Sequence, residues 1–167
     1  VDSSGGLHRT EINATENRRG FQPRGKTLGG SSAINAMLYI RGQKEDYNAW
    51  YALGNQGWSY DDVLPYFKKA ENNGSFDDSF HGQNGPLSVS NLRNENIFSE
   101  AFIESGKKLH QFNTDFNGQD QEGVGYYQVT QKDGKRCSAA KAYLEPIKNR
   151  ENLTIYTDMQ AYRIIVE

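Results

Sequence analysis

Apolar side chains follow a helical period along several stretches, and polar runs separate them. Ile34, Met37 and Leu38 share one face at i, i+3, i+4, so Ser31 to Tyr39 is read as a helix, with Gly29-Gly30-Ser31-Ser32 as its entry and cap. Glu45 to Leu53 reads as a second helix, stopped by Gly54. Ser59 and Asp62 then spell a capping box with Asp in the Glu place, ahead of the stripe Tyr60, Val63, Leu64 and Phe67. Pro65 conflicts with one unbroken helix, so a short first turn and a restart near Leu64 are expected. Asn96 to Leu109 reads as a helix with Phe98, Ala101, Phe102 and Leu109 inward, and Ser138 to Asn149 as another that Pro146 kinks or ends.

Strand signals are scattered. Pro86 to Val89 and Tyr126 to Thr130 are strand-like, Asp133-Gly134 is a turn signal, and Leu153 to Thr157 with Ala161 to Val166 look like a strand pair. Residues 1 to 24 and 72 to 85 read as turn and loop. The fold class is α+β, without repeats or low-complexity tracts.

Composition narrows the function classes. The chain has 167 residues, a formal net charge of -2 and a mean hydropathy of -0.84. Twenty aromatics (Tyr 10, Phe 8, Trp 2) argue against disorder, and the lack of a basic excess argues against a nucleic-acid partner. A lone cysteine, Cys137, rules out an intrachain disulfide and a multi-cysteine zinc site. His8, His81 and His110 lack metal-ligand spacing and are read as surface or structural, so no metal site is expected. No apolar run is long enough to span a membrane and no signal peptide is visible. The first residue is Val1 and the chain closes inside a strand-like stretch, so an internal fragment of a longer protein is expected.

The most informative stretch is Gly20-Phe-Gln-Pro-Arg-Gly-Lys-Thr-Leu-Gly-Gly-Ser-Ser-Ala-Ile-Asn35. Gly20 to Thr27 satisfies the P-loop spelling G-x-x-x-x-G-K-[ST]. Its context does not fit, because polar residues 13 to 19 replace the buried strand and Gly29-Gly30 follow where the helix should begin. The Gly29-Gly30-Ser31-Ser32 turn has two readings: an ordinary capped turn, or a set of backbone amides and hydroxyls suited to a phosphate or pyrophosphate. Asn35 can point its amide at the same ligand.

Gly25-Lys-Thr-Leu-Gly-Gly-Ser-Ser-Ala-Ile-Asn35, with Tyr39, Arg41-Gly42 and Asn48, resembles the first signature of the glucose–methanol–choline (GMC) flavoprotein oxidoreductases, choline dehydrogenase-like in wording. The resemblance continues through Gly57 to Phe67, His81-Gly82, Gly85 to Leu87, Gly123 to Thr130, Arg136 to Ala140, Ala142 to Leu144 and residues 153 to 167. It implies the middle segment of such an enzyme. Residues 1–55 would belong to the FAD-binding domain and 56–150 to the substrate-binding domain and connecting helices, with 151–167 returning to the FAD-binding domain as a strand pair.

The resemblance also implies the site. Gly25, Gly29, Gly30 and Ser31 would lie along the FAD pyrophosphate, and Asn35, Ala36 and Leu38 along the phosphate, ribityl or flavin portions. Ala161 would meet the adenine end through its backbone. Gln22 stands where some relatives carry a flavin-linked His, so FAD is expected to be held non-covalently. The dinucleotide fingerprint G-x-G-x-x-G and the active-site His segment are absent, so no catalytic residue is named.

The implied reaction is oxidation of a small-molecule alcohol by hydride transfer to the flavin, with the electron acceptor open and a homo-oligomer allowed. Cytoplasmic location, with peripheral membrane association as a variant, is the expectation. Tyr126, Tyr127 and Gln128 either face the substrate or are alternating core and surface of a sheet, the second being preferred. Trp50 and Trp58 are read as packing anchors, Cys137 as structural, and the alternative of a non-catalytic interaction module stays open.

Overall fold

The computed structural model describes residues 4–5, 23–159, 161 and 163–166. A small sheet made of short segments forms the centre, and helices flank it. Strand β1 (Ser4–Gly5) pairs antiparallel with β2 (Arg24–Gly25). A single 3-10 turn (Gly30–Ala33) follows, then α1 (Lys44–Ala52), α2 (Tyr60–Ala70), β3 (Glu71–Asn73), β4 (Leu87–Val89), α3 (Ile97–Gly106) and the hairpin β5 (Gln131–Lys132)–β6 (Lys135–Arg136). A π-helical turn (Ala140–Leu144) and a 3-10 turn (Glu145–Ile147) come last.

β3 and β4 run parallel. Just past β4, Ser90 and Val129 form an antiparallel bridge and exchange both N–H···O bonds at 3.0 and 2.9 Å. On the far side of Val129, Tyr39 N–H reaches the Gln128 carbonyl at 2.9 Å and Thr130 N–H the Met37 carbonyl at 2.8 Å. Val129 therefore sits in the middle of the patch at 2% exposure, beside fully buried Val89. Burial of two β-branched side chains here contributes roughly 1.5–3 kcal/mol each.

The Ser59–Asp62 cap reading holds, and α1 carries a second capping box at Gln43 and Asp46 that the sequence reading did not name. In α2, Ser59 Oγ accepts from Asp62 N–H and Asp62 Oδ2 accepts from Ser59 N–H, a pair whose cap is worth about 1 kcal/mol. In α1, Gln43 N–H donates to Asp46 Oδ2 at 2.8 Å. Tyr47 joins the two helices, with its ring 5.5 Å from Trp50 and 5.7 Å from Phe67. Trp50 packs edge-on against Trp58 at 5.6 Å, which fits the anchor reading.

Several expectations are corrected. Pro65 does not divide α2. It lies inside one helix, which forgoes the bond to the Asp61 carbonyl and is held by the Ser59 cap and by Lys68 and Lys69 in the last turn. Ser31 to Tyr39 is not a helix. Only Gly30–Ala33 turns, Met37 takes φ +65°, and the ladder to residues 128 to 130 takes the backbone bonds instead.

α3 occupies the expected range and Asn96 caps it, but the inward face is Ile103 at 5% exposure. Phe98, Phe102 and Leu109 are 72–83% exposed. The approach that decides this is Gly106 lying against the Val124 side chain. The stretch after Ser138 winds as the π and 3-10 turns, and Pro146 lies inside the second of them, which runs on to Ile147. Among the described residues of 153–166 no strand forms. Asp133 (φ +54°) and Gly134 (φ +72°) close the hairpin with the left-handed pair that a tight two-residue turn requires.

Candidate functional site

The glycine-rich turn is built by close backbone packing. Gly29 has φ +88° and Gly30 φ +56°, a pair that any side chain would strain. A Cβ on Gly25 would collide with the Gly30 carbonyl, whereas one on Gly30 would meet nothing within 4 Å among the described residues. Ser31 Oγ accepts from Gly25 N–H at 3.1 Å, so its own proton stays free to donate. Ser32 faces the other way. Its hydroxyl donates to the Gly29 carbonyl at 2.5 Å and accepts from Ala139 N–H at 2.8 Å, which seats the turn on the segment Ser138 to Ala140.

The N–H groups of Gly29 and Ser31 have no acceptor among the described residues. Free amides, a free hydroxyl and the unfilled space at Gly30 together fit the phosphate oxygens of a dinucleotide. One 3-10 turn supplies no helix dipole, so, contrary to the expectation from the sequence, no amphipathic helix aims its N-terminus from this turn.

The structure brings Gly25, Gly29, Gly30, Ser31 and Asn35 together in this turn. Asn35 Oδ1 accepts from Met37 N–H at 3.1 Å and from Arg136 Nη1 at 2.7 Å. Ala36 is exposed, and Leu38 is half exposed where it bridges Val129. Ala161 is an exposed residue of the C-terminal stretch. Gln22 and residues 20 to 21 of the P-loop spelling lie outside the described residues, as does His8. The Ser32 hydroxyl, expected among the donors to the ligand, is spent on Gly29 and Ala139 instead, and Arg136 was missed; the motif Arg136-Cys-Ser-Ala-Ala held the signal but received no role.

A second polar centre was also missed. Arg41 Nη2 pairs with Glu71 Oε2 at 2.5 Å, Glu71 Oε1 meets His81 Nδ1 at 3.1 Å, and His81 Nε2 meets Asp115 Oδ2 at 3.0 Å. Asn73 Nδ2 bonds Glu71 Oε1 at 2.9 Å and Gln128 Oε1 at 2.8 Å. Gly82 N–H adds a bond to Glu71 at 3.0 Å, and Asn117 Oδ1 accepts from Arg41 N–H at 2.8 Å. His81 is thus not a surface residue but a structural one at 2% exposure, while His110 is exposed.

Burial alone would disfavour the charged imidazole. The hydrogen bonds to Asp115 and Glu71 outweigh it and raise the His81 pKa to about 9. Burial likewise opposes the carboxylates, but the bonds from His81, with Gly82 N–H and Asn73 on Glu71 and Asn117 N–H on Asp115, hold both below their ordinary values. Asp78, His81 and Asp115 place potential ligand atoms within 4.8 Å of one another. Both His81 nitrogens are already engaged by carboxylates, Nδ1 by Glu71 and Nε2 by Asp115, so the group reads as an ion-pair chain.

Gln128 belongs to this network, whereas Tyr126 and Tyr127 line a cavity of about 430 Å³ with Phe76, Leu92, Glu95 and Phe112. The buried Tyr126 hydroxyl has no hydrogen-bond partner there. Cys137 is buried, with its N–H on the Thr130 carbonyl at 2.9 Å, in keeping with a structural role.

The same arrangement of elements recurs in solved enzymes. Pyridoxine 4-oxidase from Mesorbium loti superposes with a TM-score of 0.82 at 32% identity, over 94% of this chain and 32% of that one. An FAD-dependent oxidoreductase from Chaetomium thermophilum gives 0.77 at 29% identity, over 88% of this chain and 28% of that one. The class is therefore an oxidoreductase fold. The GMC oxidoreductase profile matches residues 4–167, and the chain belongs to that family.

Among curated relatives, an alcohol dehydrogenase [acceptor] of Pseudomonas putida is 50% identical over 88% of this chain and 27% of its own length. An oxygen-dependent choline dehydrogenase of Rhizobium johnstonii is 45% identical over 90% of this chain and 28% of its own. The chain thus spans little more than a quarter of the length of these relatives.

Proposed function

We propose that the complete protein carrying this chain is an FAD-dependent oxidoreductase that takes a hydride from a small-molecule alcohol. The observation that carries this reading is the Gly29–Ser31 turn, whose free amides and open Gly30 face lie within a GMC-family chain. Bound FAD supplies the ring that accepts the hydride.

This chain's residues hold and orient the cofactor. Gly29 and Ser31 N–H and the Ser31 hydroxyl bind pyrophosphate oxygens, and Gly25 lets the turn close. Asn35, Ala36 and Leu38 extend along the phosphate-to-flavin portion, and the Ala161 backbone meets the adenine end. Residues 1–55 serve the cofactor side, 56–150 the substrate side, and 151–167 return to the cofactor side. The alcohol and choline dehydrogenases at 50% and 45% identity support an alcohol substrate of that kind.

The test is FAD binding by the product of the complete reading frame, followed by dye reduction with a panel of primary alcohols. Gly30→Ala puts a methyl group where no atom of the described residues lies, so folding should lose only the cost of a left-handed alanine, about 1–2 kcal/mol. FAD affinity should fall well over tenfold. Wild-type affinity in that variant would place the cofactor elsewhere. The isolated chain should bind FAD weakly and turn over no alcohol; a tight flavin absorbance band on the purified chain would contradict this.

A further inference from the structure

We propose that Arg136 is a positioning residue that locks the Asn35 side-chain amide with its NH2 group presented to the cofactor as a hydrogen-bond donor. This rests on the reading that FAD lies along the glycine-rich turn.

Arg136 ends β6, just past the Asp133-Gly134 turn. Its Nη1 reaches back to the turn at two points, Asn35 Oδ1 at 2.7 Å and the Ser32 carbonyl at 3.1 Å. A guanidinium can only donate, and so can the Met37 N–H that meets the same Oδ1 at 3.1 Å. Both lone-pair sites of that oxygen are therefore taken. Rotating the amide by a half-turn would set its NH2 against two donors, so one orientation is enforced.

Asn35 Nδ2 has no acceptor among the described residues, and Asn35 is exposed. An exposed amide with a free choice of flip would offer a ligand either an acceptor or a donor. Here only the donor is on offer, so its partner must be a hydrogen-bond acceptor of FAD, on the phosphate or on the ribityl–flavin portion. The hairpin thereby acts on the cofactor without touching it: a close left-handed turn places Arg136, Arg136 fixes Asn35, and Asn35 meets the ligand. Arg136 also clamps the Ser32 carbonyl, beside the Ser32 hydroxyl that Ala139 N–H already holds.

The experiment uses apoprotein from the complete reading frame, titrated with FAD by flavin fluorescence, with thermal melting of each apo variant alongside. Arg136→Met should weaken FAD about tenfold, the scale of one hydrogen bond. Arg136→Lys, still a pure donor, should recover most of the loss. Asn35→Leu, similar in shape and without the donor, should weaken FAD to the same degree. The double variant should be no weaker than Asn35→Leu alone, because Arg136 acts through Asn35.

Additive losses in the double variant, or wild-type affinity in Asn35→Leu, would overturn the proposal. So would an Arg136→Met protein whose melting temperature drops while its affinity stays. If Arg136→Met does not fold, Asn35→Leu decides alone. Gly30→Ala separates the two readings. Affinity lost there but kept in Asn35→Leu defeats this inference only, whereas affinity kept in both defeats the placement of FAD at the turn.

Discussion

The Glu71 carboxylate meets the His81 imidazole at 3.1 Å, and neither side chain is exposed to solvent. Arg41 and Asp115 extend that contact into a chain of alternating charge, which ties the start of β3 to the segments around residues 41, 81 and 115. Bonds from Asn73, Gly82 and Asn117 satisfy much of the remaining polar surface, which lets the charges lie buried.

Stability should therefore depend on pH at both ends. His81 has a pKa raised from 6.5 to about 9, so its contribution is complete below pH 6.5 and is lost as pH rises through 9. Glu71 and Asp115 are lowered from 4.5 and 3.8, so theirs is present above those values and is lost as pH falls below them. Melting of the complete protein should peak between about pH 5 and 6.5. His81→Gln should flatten the alkaline limb between pH 6.5 and 9; an unchanged limb would show that His81 does not carry it.

Removing one partner of the buried chain should cost far more than removing a surface charge. Glu71→Gln leaves Arg41 buried without its counter-ion, and a loss of roughly 3–5 kcal/mol in chemical denaturation is expected. Glu104→Gln breaks the exposed Lys107–Glu104 pair and should stay within about 1 kcal/mol. Equal effects would contradict the burial of the Glu71 centre.

Local chemistry was legible in the sequence wherever one short stretch determines it. Ser59 with Asp62 caps α2 and Asp133-Gly134 makes the hairpin turn, both by rules that act within a few residues. The Arg41–Glu71–His81–Asp115 chain was not legible, because four polar residues scattered along the sequence carry no period and meet only through tertiary packing. The helix expected over Ser31 to Tyr39 failed for a related reason: pairing of residues 37 to 39 with 128 to 130 overrides a short apolar period. At the site, the glycines announced the turn, but the role of Arg136 depends on a hairpin that returns to it from far along the chain.

The outer face of α3 offers another test. Phe98 and Phe102 are 80% and 72% exposed, and Leu109 is 83% exposed close by. An apolar face of this kind should bind a hydrophobic dye in the isolated chain. Phe98→Lys with Phe102→Lys should abolish most of the dye signal. It should shift folding stability by no more than about 0.5 kcal/mol per site, since neither ring is packed. A large loss of stability would mean that these rings are buried in solution.

Gly25 and Gly30 should differ in how far alanine destabilises the apoprotein, although both belong to the same turn. A Cβ at Gly25 runs into the Gly30 carbonyl and close to the Ser31 amide, backbone that cannot move without opening the turn. It would also disturb the bond from Gly25 N–H to Ser31 Oγ. Gly25→Ala should therefore lower the melting temperature of the apoprotein as well as FAD affinity. A loss of about 1–3 kcal/mol is the scale of forcing an extra methyl into a packed site. Gly30→Ala meets open space, so its apoprotein should melt nearer to wild type while affinity falls at least as far. Melting curves and FAD titrations on the two apo variants check both halves. A Gly30 variant that unfolds more readily than the Gly25 variant would mean that the turn is closed by contacts at Gly30, and that the space beside it is not a ligand's.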